Sequence, residues 1–161
     1  MNQRQADQDT MPTPPSAIVV GLDDSPSGRA ALTWAAQQCR TTGWPLRVVH
    51  AWQMDAFTAS AASVELMATE TADARARATR WVLDTLGETP TGIRWSLDVE
   101  MGHAGQALVA RSKDAHLLVV GTQEHTGVRR AVLGSVSHYC LTHAVTPVVA
   151  VPAPQQVAPA A

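Results

Sequence analysis

Two short apolar runs constrain the fold of this chain more than any other feature. Residues 17–20 and residues 117–120 contain no polar side chain, and each run is followed directly by a glycine. A strand that does not alternate between apolar and polar residues is typical of a position covered on both faces, as in the middle of a parallel sheet. The sequence therefore predicts a parallel sheet whose two central strands lead to Gly21 and Gly121.

Strand and helix patterns alternate along the chain, which begins and ends its ordered part with a strand. The clearest helix signal is Ser25 followed by Pro26, a capping residue before a residue favoured at the first helical position, with Gly43 as the stop. The third strand alternates strictly between apolar and polar residues and is expected at a sheet edge. In order, strands are predicted at residues 17–20, 46–52, 93–99, 117–120 and 147–151, and helices at 26–42, 60–86, 104–113 and 135–143.

This alternation predicts an α/β fold with a single open parallel sheet of five strands and helices on both faces. The strand order 3-2-1-4-5 places the two most apolar strands in the middle and the alternating strand outside. Ligands bind such sheets at the carboxyl ends of strands whose connections leave in opposite directions, here the first and the fourth. The segment Gly21, Leu22 and Asp23 is therefore expected to converge with Gly121 on one site.

The domain is predicted to span residues 17–151 of the 161-residue chain. A domain of this size buries roughly 70% of the surface of its unfolded chain, enough to fold without disulfides or metals. Residues 1–16 and 152–161 are rich in Gln, Pro and Ala and show no periodicity. They are expected to be disordered tails.

Net charge limits the classes of partner that the protein is expected to bind, and cysteine content indicates its cell compartment. The formal net charge is −2 and the arginines form no long run, so we expect neither nucleic acid nor a membrane as partner. No apolar stretch approaches the roughly 20 residues that cross a bilayer. Two cysteines and a polar amino-terminal segment argue against secretion, so a cytoplasmic protein is expected.

The segment from residue 117 to residue 137 has the outline of an anion site. A buried strand ends at Gly121, a long loop follows, and Gly134 with Ser135 begins a new helix. The first N–H groups of a helix have no partner inside it, and they carry the positive end of the helix dipole. The sequence therefore predicts a phosphate ester as ligand.

At this loop the chain resembles the universal stress protein family, whose nucleotide-binding members carry Gly, two residues, Gly, nine residues, Gly and then Ser or Thr. Gly121, Gly134 and Ser135 match this motif, whereas Glu124 stands where the second glycine is expected. The resemblance extends to the segments VVGLDDSPSGRAALTWAA, RVVHAW and LGSVSHYCLTHAVTPVVAVP. It implies a Rossmann-like fold of the adenine nucleotide alpha hydrolase type.

The resemblance implies a stress-response regulatory protein that binds an adenine nucleotide, ATP with Mg²⁺, between strands 1 and 4. It also implies a homodimer through the fifth strand, residues 147–151, whose apolar character suits a covered edge. Together with the convergence of strands 1 and 4, it predicts nucleotide contacts at Gly21, Leu22, Asp23, Ala51, Gly121, Gly127, Gly134, Ser135, Val136 and Ser137.

Glu124 adds negative charge where the phosphates are expected. Two like charges about 4 Å apart repel by about 1 kcal/mol in water and by more when partly buried. Arg129 and Arg130 would offset this charge if they turn inward. Two alternatives therefore stay open: a dimeric interaction module of the same fold without nucleotide, and a slow ATP hydrolase.

Catalysis and metal binding have weaker support in the sequence than nucleotide binding has, and no catalytic or metal-binding residue is predicted. His138 and His143 are five residues apart, which misses the spacing that places two imidazoles on one helix face. A plainer interpretation of Asp23, Asp24 and Ser25 is that they form only a turn and a helix cap. His50 is expected to make a structural hydrogen bond, and the five tryptophans to pack in the core or a subunit interface.

Overall fold

A computed structural model of the protein describes residues 16–88, 90–124 and 131–154. Most of the two predicted tails, together with Gly127, Arg129 and Arg130, lies outside these described residues.

The central sheet is parallel and has five strands in the order β3-β2-β1-β4-β7. This confirms the predicted order 3-2-1-4-5, with β7 as the fifth strand of the sheet. Its strands are β1 (Ile18–Gly21), β2 (Leu46–Trp52), β3 (Trp95–Met101), β4 (Leu117–Gly121) and β7 (Val148–Val151). A separate antiparallel pair, β5 (Gln123–Glu124) and β6 (Ala131–Val132), lies in the segment predicted as a plain loop.

The helices are α1 (Pro26–Thr42), α2 (Ala56–Ala61), α3 (Val64–Leu86), α4 (Ala104–Arg111) and α5 (Ser135–His143). The prediction of one helix over residues 60–86 was wrong at its start. The carboxylate of Asp55 caps α2 by accepting the N–H of Thr58 at 2.9 Å. Ser63 caps α3 by accepting the N–H of Leu66 at 3.2 Å. Two local caps thus divide a stretch whose alanines would favour one continuous helix.

Helix α1 follows from local chemistry alone and confirms its prediction. The hydroxyl of Ser25 accepts the N–H of Gly28 at 3.0 Å, and Pro26 occupies the first helical position. At the other end Gly43 has a φ of 75°, and its N–H is donated to the carbonyl of Cys39 at 2.8 Å. This left-handed conformation is costly for residues other than glycine, so the helix ends there.

Two hydrophobic clusters, one on each face of the sheet, hold the layers together. Ile18 and Val20 pack with α1 and with Val82 of α3. Val19 points to the opposite face and packs with Leu108 of α4 and Cys140 of α5. All three β1 side chains are fully buried, and burial of each contributes about 1.5–3 kcal/mol. Four tryptophans, Trp34, Trp44, Trp81 and Trp95, pack against the first cluster, as predicted.

Strand β3 forms one edge of the sheet and has the solvated face that its alternation predicted. Asp98 lies 3.9 Å from Arg47 of β2 and 3.7 Å from Arg111 of α4. Glu100 forms an ion pair with the same arginine. These pairs are partly exposed and contribute about 0–1 kcal/mol each. These ion pairs therefore contribute little to the stability of the sheet edge.

Among the described helices, none combines the length and the apolar character that crossing a membrane requires.

Candidate functional site

A cleft with a volume of about 110 Å³, partly open to solvent, lies at the carboxyl edge of the sheet, where β1 and β4 end. The structure brings together around it the predicted residues Gly21, Leu22, Asp23, Ala51, Gly121, Gly134, Ser135, Val136 and Ser137. The remaining predicted residue, Gly127, lies outside the described residues.

The floor of the cleft is fixed by hydrogen bonds between β1 and β2. The N–H of Leu22 is donated to the carbonyl of Val49 at 3.0 Å. The carbonyl of Leu22 accepts a hydrogen bond from Nδ1 of His50 in the same strand, also at 3.0 Å. His50 is buried and meets the ring of Trp81 edge-on. This confirms the structural role predicted for His50 and leaves both the N–H and the carbonyl of Leu22 bonded to β2.

One wall of the cleft is the start of α5. Gly134 is the capping residue, and no side chain among the described residues accepts the N–H groups of the first turn. The hydroxyl of Ser137 is donated to the carbonyl of Gly134 at 3.0 Å, so it does not serve as a cap. Open N–H groups at the positive end of a helix dipole bind anions. This end of the cleft is therefore suited to a phosphate.

A second wall is the start of α1. It differs from the start of α5 because a side chain of its own segment accepts an N–H group of the first turn. Oδ1 of Asp23 accepts the N–H of Ser25 at 3.1 Å and the hydroxyl of Ser25 at 2.5 Å. Asp23 thus makes the turn and supports the cap, as the plainer interpretation of these residues predicted. Asp24 points elsewhere and pairs with Arg29 at 2.5 Å.

Gly121 and Gly28 allow close backbone packing at the edge of the cleft. A Cβ on Gly121 would lie 2.6 Å from the backbone carbon of Ser27, inside the limit for real contacts. A Cβ on Gly28 would lie 2.3 Å from Oδ1 of Asp23. Gly121 lines the cleft as predicted, and a glycine is also needed there because β4 ends against the first turn of α1.

The third wall is apolar and combines β2 with α4. Ala51 and Val49 line it from the strand, and Ala104 and Leu108 line it from the helix. A Cβ on Gly21 would lie 2.8 Å from a methyl carbon of Leu108, so the helix packs directly on the end of β1. Sequence analysis did not find the α4 residues or Ser27 and Gly28. The available signal was topological: in a parallel sheet, helices that follow strands begin at the carboxyl edge.

The loop that carries Glu124 is described only in part. The backbone of Glu124 pairs with Ala131 in the β5–β6 ribbon. A residue at the motif's second glycine position is therefore part of a strand pair here.

Nucleophilic and metal chemistry has no arrangement to support it in the described part of the chain. Burial raises the pKa of Cys140 to about 11. The same effect raises the pKa of Cys39 to about 11, against the opposing charge of Arg40. Both thiols are therefore protonated at neutral pH and inert. No three His, Cys, Asp or Glu side chains of the described residues lie together as metal ligands would.

Comparison with known proteins identifies the family of this chain. The sequence model described as the universal stress protein family matches residues 16–152. A universal stress protein from Mycolicibacterium smegmatis is 30% identical over 148 residues, which cover 88% of this chain and 49% of that protein. The chain thus spans about half the length of the curated relatives it matches.

Solved structures show the same fold at lower identity. UspA from Lactobacillus plantarum superposes with a TM-score of 0.65 at 20% identity, covering 86% of this chain and 99% of that one. The universal stress protein from Archaeoglobus fulgidus in complex with dAMP gives 0.62 at 20%, covering 86% and 99%. A universal stress protein in complex with cAMP gives 0.56 at 22%, covering 88% and 100%.

Proposed function

Because this chain belongs to the universal stress protein family, we propose that it is a stress-response regulatory protein that binds an adenine nucleotide. The expected ligand is ATP with Mg²⁺, bound in the cleft between β1 and β4. The observation that carries the proposal is the pairing, in one cleft, of an apolar wall with an open helix start. A nucleotide presents the complementary pair of surfaces, a flat base with apolar faces and an anionic phosphate.

Each end of the ligand has a matching wall. The side chains of Ala51, Ala104 and Leu108 give a base an apolar surface to pack against. The first turn of α5 offers its N–H groups to phosphate oxygens, with the helix dipole adding attraction. Relatives of the same fold have been solved with dAMP and with cAMP, which supports an adenine nucleotide in this chain.

Thermal unfolding with and without Mg²⁺ and ATP tests the proposal. A ligand that binds only the folded state raises its stability by RT ln(1 + [L]/Kd), about 2.7 kcal/mol at a hundredfold excess over Kd. For a domain of this size we expect the midpoint to rise by roughly 5–10 °C. Adenosine and inorganic phosphate, each added alone, should give smaller shifts because each fills one wall only.

The same samples separate the alternatives. An unchanged midpoint at millimolar ATP would favour the dimeric interaction module, in which Glu124 has abolished binding. Steady release of phosphate, with ADP accumulating in proportion to protein, would favour the slow hydrolase. Intact ATP recovered from the complex supports a binding protein.

We propose further that the protein is a homodimer through β7. This strand is the last in the sheet order, and all four of its residues are apolar and only half buried. Val145, just before the strand, is 83% exposed. Because an apolar sheet edge pairs with other chains unless it is covered, a second copy is the expected cover.

A proline tests this edge without breaking the sheet. Leu118 and Thr122 of the β4 segment donate to the carbonyls of Pro147 and Val151, so alternate residues of β7 face β4 and Ala150 faces outward. Ala150→Pro removes an outward N–H and should shift the protein to monomer in sedimentation at micromolar concentration. Ala150→Gly is the matched control, because it changes the same residue and keeps the outward N–H. A parent protein that sediments as a monomer would contradict the proposal.

A further inference from the structure

We propose that the hydroxyl of Ser27 accepts a hydrogen bond from the ribose of the bound nucleotide and makes the cleft prefer ribonucleotides over deoxyribonucleotides. The inference rests on the proposed nucleotide site and adds to it the part of the ligand that lies between base and phosphate. Ser27 lines the cleft and is only 5% exposed.

The hydrogen of the Ser25 hydroxyl is committed to Asp23. A carboxylate oxygen only accepts, so the 2.5 Å contact between Ser25 Oγ and Asp23 Oδ1 has Ser25 as the donor. Bonds to an ionised acceptor are roughly twice as strong as neutral ones. The oxygen of Ser25 also accepts the N–H of Gly28 at 3.0 Å.

This commitment fixes the direction of the next bond. Ser25 Oγ and Ser27 Oγ lie 3.2 Å apart, and a serine hydroxyl has one hydrogen and two lone pairs. Because the hydrogen of Ser25 is used, Ser27 is the donor in this pair. Among the described residues, Ser25 is the one hydrogen-bond partner of Ser27 Oγ. The oxygen of Ser27 therefore presents lone pairs to the cleft and selects a ligand group that can donate.

The sheet order places the sugar at this point. Strand β1 lies between β2, which carries part of the apolar wall, and β4, whose end lies beside the phosphate wall. Neighbouring strands are about 4.8 Å apart, so the middle of a ligand that spans both walls lies over the end of β1. A phosphate is disfavoured here, because the carboxylate of Asp23 and the lone pairs of Ser27 both repel it. A ribose hydroxyl fits, since it can donate.

The expected discrimination is modest and measurable. A deoxynucleotide leaves the buried oxygen of Ser27 without a donor, and a lost neutral hydrogen bond corresponds to about a threefold to tenfold loss in affinity. Titration calorimetry with AMP, 2′-deoxy-AMP and 3′-deoxy-AMP measures this directly. At least one deoxy form should bind the parent protein about threefold to tenfold more weakly than AMP.

Two variants test the assignment to Ser27. In Ser27→Ala the ratio between AMP and the weaker deoxy form should fall to within about twofold. Ser137→Ala is the matched control, because Ser137 also lines the cleft but its hydroxyl is used on Gly134. It should leave the ratio unchanged, whatever it does to overall affinity. Circular dichroism checks that both variants are folded.

An analogue tests the direction of the hydrogen bond rather than the presence of the oxygen. Fluorine in place of the hydroxyl cannot donate, so the 2′-fluoro or 3′-fluoro form of AMP, matched to the weaker deoxy form, should bind the parent protein about as weakly as that deoxy form. Parent protein that binds all three nucleotides equally, or a ratio that survives in Ser27→Ala, would overturn the inference and leave the nucleotide site standing. Failure of AMP and ATP alike to bind would refute both.

Discussion

The starts of α1 and α5 border the same cleft, but they differ in how the N–H groups of the first turn are treated. Each helix follows a central parallel strand that ends in glycine, and each begins with unpaired backbone N–H groups. At α1 the hydroxyl of Ser25 accepts one of these groups and Asp23 holds the hydroxyl in place. At α5 the cap is Gly134, and no described side chain reaches the first turn. The closed start presents lone pairs to the cleft, whereas the open start presents donors.

We infer from this difference that a helix start is free to bind a ligand when no side chain caps it. A serine cap stabilises a helix by about 1 kcal/mol relative to alanine, while glycine at the same position loses only a few tenths. The open start of α5 therefore costs little stability. In return, its N–H groups keep their hydrogen-bonding capacity for an anion.

The largest expected effect comes from breaking the contact between the end of β4 and the first turn of α1. Gly121→Val places a Cβ 2.6 Å from the backbone of Ser27, which cannot rotate away. We expect a loss of about 3 kcal/mol or more in the free energy of unfolding, measured in urea. Gly43→Ala is the control, because a Cβ there meets nothing within 4 Å and only the positive φ is strained. It should cost about 1 kcal/mol. Equal urea midpoints for Gly121→Val and the parent would show that the end of β4 does not pack against α1.

Giving α5 a side-chain cap should weaken nucleotide binding strongly without harming the fold. Gly134→Asp gives α5 a cap and places a negative charge at the phosphate wall, so ATP affinity should fall about a hundredfold, or about 2.7 kcal/mol. Calorimetry measures the affinity, and the melting temperature should stay level or rise. Gly134→Asn supplies a cap of the same size without the charge and should lose less. If Gly134→Asp still binds ATP as the parent does, the phosphate does not lie at α5.

Removing the negative charge of Glu124 should instead strengthen nucleotide binding. Glu124→Gly restores the residue that the nucleotide-binding motif carries, and ATP binding should tighten about tenfold if roughly 1.4 kcal/mol of repulsion is relieved. Glu124→Gln keeps the side chain and removes only its charge, so it separates repulsion from backbone freedom. Equal or weaker binding by both variants in calorimetry would eliminate Glu124 as the residue that limits affinity.

The smallest expected effect compares the two serines. Ser25→Ala removes the cap of α1 and should lower the free energy of unfolding by about 1 kcal/mol. Ser135→Ala, at the exposed first residue of α5, removes no cap and should change it by less than about 0.5 kcal/mol. Urea unfolding of the two variants side by side measures the difference, and equal losses would mean that both hydroxyls act as caps.

The parts of the fold that sequence predicted are those decided locally or by burial pattern. Ser25, Pro26 and Gly43 set the bounds of α1, and the unbroken apolar runs placed β1 and β4 in the middle of the sheet. The break between α2 and α3 was overlooked because alanine-rich sequence favours helix throughout. Only the bonds made by Asp55 and Ser63 show that two helices start there.

The residues of the candidate site also fall into those that could be predicted from the sequence and those that could not. Residues at strand ends and in the glycine motif were predictable, because topology brings the ends of β1 and β4 together. Ser27, Gly28 and Leu108 were not, because their places depend on packing between distant elements. Gly121 shows the limit best: its position was predicted, but its reason, the backbone of Ser27 against it, is visible only in three dimensions.

The hydrogen bonds that fix Leu22 bear on how an occupied cleft could be sensed. A ligand shifts an equilibrium only between conformations for which its affinity differs. Leu22 is hydrogen-bonded to Val49 and to the buried His50. We therefore expect the floor to keep the same conformation with and without ligand. We expect the effect of nucleotide binding to be transmitted through α5, which carries the partly exposed Val136 and Leu141. Amide hydrogen exchange should then slow in the first turns of α5 when nucleotide binds and stay unchanged at Leu22; slowing at Leu22 alone would show that the floor transmits the effect.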